Sequence, residues 1–116
     1  MAYDEDLAER MREVLSGQPG VDERKMFGGL AFMVNGHMAC GIVGDELMVR
    51  VGPERQQDVL SLPHAREMTF TGKSMKSMVY VSRDGFASDE DLAAWMARGV
   101  DFARSLPVKG AGTGGK

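Results

Sequence analysis

Residues 25–52 read KMFGGLAFMVNGHMACGIVGDELMVRVG, and the apolar runs in this stretch break only at Asn35-Gly36 and Gly44-Asp45. Both dipeptides accept the positive φ that two-residue loops require, so each reads as a hairpin turn. The stretch predicts a three-strand antiparallel meander. A two-residue loop at Asn35-Gly36 sets Val34 opposite His37, and one at Gly44-Asp45 sets Val43 opposite Glu46.

Strict alternation along these strands sorts the side chains into two faces. One gathers Gly29, Ala31, Met33, Met38, Cys40, Ile42, Leu47, Val49 and Val51 and is wholly apolar. The other gathers Leu30, Phe32, Val34, Ala39, Gly41, Val43 and Met48, with His37, Glu46 and Arg50 among them. An antiparallel sheet with one wet face alternates apolar and polar residues, and this one does not. Something is expected to cover the second face as well.

Working outward, residues 3–15 carry Tyr3, Leu7, Met11, Val14 and Leu15 at three- and four-residue intervals, the stripe of an amphipathic helix with Asp4, Glu5 and Asp6 in its first turn. Gly17, Pro19 and Gly20 end it, and residues 21–26 lead into the meander as a charged edge segment. Beyond the meander, Pro53 suits the first position of a short helix over 54–62. Two further strands are expected at 67–70 and 78–82, joined by a polar basic loop over 71–77, and Arg83-Asp84-Gly85 reads as a turn. The last helix has Ser88 as N-cap and a stripe of Leu92, Trp95, Met96, Gly99, Phe102, Ala103 and Leu106, ended by Pro107. These elements make one α+β domain over 3–107, an antiparallel sheet packed in two layers against about three helices. Residues 108–116 form a Gly-rich tail expected to be disordered.

A net charge of −3 and a pI near 5.3 argue against a protein that coats nucleic acid, and direct binding to it is not expected. The chain has no apolar run near the ~18 residues of a membrane helix, and its acidic start is unlike a signal peptide, so it reads as cytoplasmic. Cys40 stands alone and reads as a small buried hydrophobe.

The candidate chemistry is thin. Gly72-Lys73-Ser74 resembles the end of a phosphate-binding loop, but Glu67 stands where the required glycine would be, and a surface loop is the better reading. His37 and Cys40 are three apart, which on a regular strand points them to opposite faces, and no metal site is expected. The clustered acids at 4–6 and 89–91 sit at helix starts, where capping accounts for them. Arg24, Lys25, Arg50, Lys73, Lys76 and Arg83 read as a solvated rim. Ten methionines read mainly as core filler, although Met-rich surfaces also serve adaptable interfaces.

The chain resembles the N-terminal domain of the TfoX/Sxy family of bacterial competence regulators. The resemblance rests on the helix over 3–15, KMFGGLAFMVNGHM from Lys25, GDELMVRVGPE from Gly44, PHAREM from Pro63, FTGKSMKSMVYV from Phe70 and DLAAWMARGVDFARSLP from Asp91. It implies an α+β fold with helices on an antiparallel sheet, similar to secretion-chaperone-like folds, with no catalytic residues and no cofactor. Full-length regulators add a C-terminal helical domain, whereas only the tail follows Pro107 here. The expectation is therefore a non-enzymatic regulatory or adaptor domain that binds protein. It is expected to form a homodimer through Leu30, Phe32, Val34, Val43, Met48 and Arg50 on the second sheet face. The alternative is a ligand-binding or enzymatic domain using that face and residues 72–76.

Overall fold

The computed structural model describes residues 3–26, 28–70 and 73–106. In chain order its elements are α1 (Glu5–Leu15), β1 (Val21–Met26), β2 (Gly29–Val34), β3 (His37–Val43), β4 (Glu46–Arg50), α2 (Gln56–Leu60), β5 (Ala65–Phe70), β6 (Lys73–Val81), a 3-10 turn (Arg83–Phe86) and α3 (Asp89–Arg104). Both meander turns form as the dipeptides require. Asn35 and Gly36 have φ of 54° and 86°, the two positive values of a type I′ turn, while Gly44 alone is positive at 62°, as at the first position of type II′. Six antiparallel strands line up in the order β1-β2-β3-β4-β6-β5.

The pairing of β2 with β3 is not regular. Val34 sits opposite His37 and Met33 opposite Met38, but Phe32 faces Cys40, so Ala39 is an extra residue in β3. This bulge corrects the face reading. It puts Leu30, Phe32 and Val34 on the same side as Cys40, Ile42, Leu47 and Val49, and leaves Ala31 and Met33 on the other side with Met38 and Met48. His37 and Cys40 also come to one side, so their spacing does not separate them as a regular strand would.

All three helices contribute to the core on the Leu30, Phe32 and Val34 side, through Leu7, Met11 and Leu15 of α1, Val59 of α2, and Leu92, Met96, Val100 and Ala103 of α3. This is the two-layer arrangement expected. Asp4 caps α1, accepting from the amides of Asp6 (2.9 Å) and Leu7 (3.2 Å), and Ser88 caps α3, accepting from Asp91 (3.0 Å). A Cβ at Gly99 would lie 2.0 Å from the Ala39 carbonyl oxygen, so only glycine lets α3 settle this closely on the bulge.

The opposite sheet face is buried as well, and among the described residues no helix residue belongs to the cluster there. Ala31, Met33, Met38, Met48, Met68 and Met78 form a separate cluster, each 0–7% exposed, with Val43 and Tyr80 packed against it. Methionine's flexible thioether chain adapts to such a surface. From sequence the second face is expected to be covered by a second copy, whereas these side chains are already buried within one chain. Two segment readings are corrected as well. β6 begins at Lys73, so most of the expected 71–77 loop is strand, and α2 spans Gln56–Leu60 rather than 54–62, with residues 53–55 forming a turn before it. Thr71, Gly72 and the 108–116 tail lie outside the described residues.

Candidate functional site

The predicted interface residues do not come together. Leu30, Phe32 and Val34 are buried beneath the helices, whereas Met48 is buried in the methionine cluster and half-buried Val43 packs against it. Arg50 is half-buried at the end of β4 and places its guanidinium 5.2 Å from the centroid of the Phe102 ring of α3. That contact borders a concavity lined by Phe102.

A groove of about 780 Å³ runs between α3 and the segment joining β4 to α2. Ala94 and Ala97 supply small side chains along α3, Val51, Pro53 and Val59 line the facing wall, and Glu54, Arg55, Arg98 and Asp101 bring charge. Gly52 belongs to this geometry, because a Cβ there would meet the Phe102 ring at 2.6 Å. A second cleft of about 340 Å³ shares Ala94 and Arg98 and continues toward Leu62, His64, Gly85 and Trp95. The two concavities follow one side of α3 over 91–105, roughly 20 Å at the helical rise.

Tertiary bonds hold the second cleft. The Trp95 Nε1–H donates to the Gly85 carbonyl (3.1 Å), and the Ser82 amide donates to the His64 carbonyl (3.0 Å). His64 has a φ of 72°, a left-handed conformation in which histidine is enriched over most residues but still uncommon. Arg98 lies over the Trp95 ring at 5.3 Å, so both aromatic residues of this surface carry a guanidinium. The Trp95/Arg98 pair was legible as an i, i+3 spacing on a helix; Arg50/Phe102 and His64 required the tertiary fold.

Elsewhere the charges pair locally. Arg12 donates to both Glu23 carboxylate oxygens (2.7 and 2.9 Å) and also pairs with Glu9, and these bonds hold the Glu23 carboxyl below its usual range. Arg66 makes a two-pronged bond to Glu46 and stacks on Tyr80 at 4.8 Å. Of the expected basic rim, Arg24 lies near Asp22 at 3.8 Å and Arg83 near Asp45 at 3.5 Å. Cys40 is fully enclosed, and burial pushes its thiol up to about 12. Among the described residues no group of three or more His, Cys, Asp or Glu is placed to hold a metal ion, and no helix is long and apolar enough to cross a membrane.

No curated protein and no solved structure matches the chain. The family model of the TfoX N-terminal domain matches residues 13–103, from within α1 to the last turn of α3, and so takes in the whole sheet and the α3 groove. The chain belongs to the TfoX N-terminal domain family.

Proposed function

We propose that this chain is a non-enzymatic regulatory or adaptor domain that works in the cytoplasm by binding protein, with the α3 groove receiving a segment of the partner. The observation that carries this reading is the composition of the surface along α3: Phe102, with Arg50 over its ring, lies beside the small side chains of Ala94 and Ala97 in the groove, and Trp95, overlaid by Arg98, lines the adjoining cleft. Aromatic residues and arginine dominate the energetics of protein interfaces, and a lining of small residues lets a partner's backbone or side chains approach closely. The domain is further proposed to act as a homodimer, supported by the place of β1 at one edge of the sheet, with no further strand paired to it among the described residues. With its acidic balance, the chain alone is expected to give no sequence-dependent complex in a gel-shift titration at physiological salt.

Affinity capture from the native cell extract, comparing wild type with Ala97→Arg, tests the groove. Ala97 is exposed, so arginine there fills the groove without disturbing the core. The expected result is a protein retained by wild type and lost by Ala97→Arg. Equal retention by both would remove the groove from the account. The groove volume also falls in the range of small-ligand sites. A metabolite that copurifies in native mass spectrometry and is lost in Ala97→Arg would favour that second reading.

A further inference from the structure

Taking the homodimer reading as given, we propose that two copies join along β1, antiparallel, into one continuous sheet centred on Glu23. β1 is an edge strand, and its pairing with β2 is regular throughout. The Asn35 amide donates to the Gly20 carbonyl (3.0 Å), and Val21 faces Val34 in the next pair. Hydrogen-bonded and non-bonded pairs alternate in an antiparallel ladder, so the N–H and C=O of Val21, Glu23 and Lys25 point away from β2. They form the free bonding edge.

A twofold axis perpendicular to the sheet keeps each face on its own side, so residues of the same face must meet across it. Centred on Glu23, it sets Glu23 opposite its own copy, Val21 opposite the second copy's Lys25, and Asp22 opposite the second copy's Arg24. Every outward-pointing backbone group from Val21 to Lys25 then finds a partner. The side chains agree. Asp22 and Arg24 are both exposed and sit 3.8 Å apart within one chain; doubled across the axis they make a ring of alternating charge. The two Glu23 carboxylates that meet on the helix side are each already bonded by their own Arg12, and the second copy's Lys25 lies diagonally adjacent. Charges on an edge strand ordinarily repel further pairing. Here the strand runs from an acidic half to a basic half, so antiparallel approach brings unlike halves together.

Asp22→Arg and Arg24→Asp test the register without touching the core, since both side chains face solvent. Each variant alone places like charges across the axis, and is expected to raise the dimer dissociation constant roughly tenfold or more. An equimolar mixture of the two restores opposite charges at both positions and is expected to recover a heterodimer near wild-type affinity, read by sedimentation velocity. A wild-type dimer indifferent to both substitutions would overturn the β1 edge while leaving the homodimer reading intact. A wild type monomeric at ~100 µM would overturn both, because that concentration lies well above the micromolar constant expected of a modest interface.

Discussion

Gly99 and Cys40 sit on opposite sides of one idea, that α3 is seated directly on the backbone of β3. Replacing glycine by alanine inside an exposed helix normally stabilises by about 1 kcal/mol. At Gly99 the added methyl would press on the Ala39 carbonyl, so Gly99→Ala is expected to destabilise by about 2–4 kcal/mol in thermal or denaturant unfolding. A stabilised variant would show that the helix stands further from the sheet. Cys40 offers a pH test. Its thiol is held up to about 12 in the fold from an ordinary 9.0, so the neutral form is favoured by folding. The unfolded thiol ionises first, hence this stability is complete below pH 9 and is lost as pH rises toward 12. The expected outcome is that wild type loses stability relative to Cys40→Ala across that window, and parallel curves would mean that the thiol is not enclosed.

At the level of elements, Ser88→Ala should cost about 1 kcal/mol by leaving the Asp91 amide without its cap. A chemical denaturation curve reads this directly, and an unchanged midpoint would assign the start of α3 to packing alone. Phe32→Glu measures which face β2 presents to the helices. Phe32 is 1% exposed in the helix-covered core, and an unpaired carboxylate there costs several kcal/mol, so loss of the folded circular dichroism signal is expected. A folded variant would restore the regular-strand reading. What the sequence made legible follows from where local rules suffice. Asn35-Gly36 and Gly44-Asp45 set their turns by backbone freedom alone, and Ser88 set its cap. Ala39 gave no such signal, since no local dipeptide marks a bulge there and the close approach of Gly99 to its carbonyl joins positions sixty residues apart in sequence. That single extra residue exchanged the faces of Leu30, Phe32 and Val34 and with them the expected interface. The interval 71–77 misled for a different reason, since its polar residues resemble a loop while β6 begins at Lys73.

Across the whole molecule, the helices close one face of the sheet and the methionine cluster closes the other. Among the described residues, the sheet edges at β1 and β5 and the surface along α3 lie outside these two buried faces, and association is proposed to use the β1 edge and the α3 surface and not a sheet face. The groove was beyond the reach of sequence because Arg50 and Phe102 meet only after β4 and α3 pack, whereas the charge order of β1 was readable from the start. Amide hydrogen exchange followed by NMR over a concentration series distinguishes the β1 edge from the sheet faces. The outward amides of Val21, Glu23 and Lys25 are expected to exchange freely in dilute solution and become protected as the protein is concentrated, while those of Met33, Met38 and Met48 stay protected throughout. Protection of the β1 edge that does not change with concentration, or a change centred on the methionine strands, would contradict association at that edge.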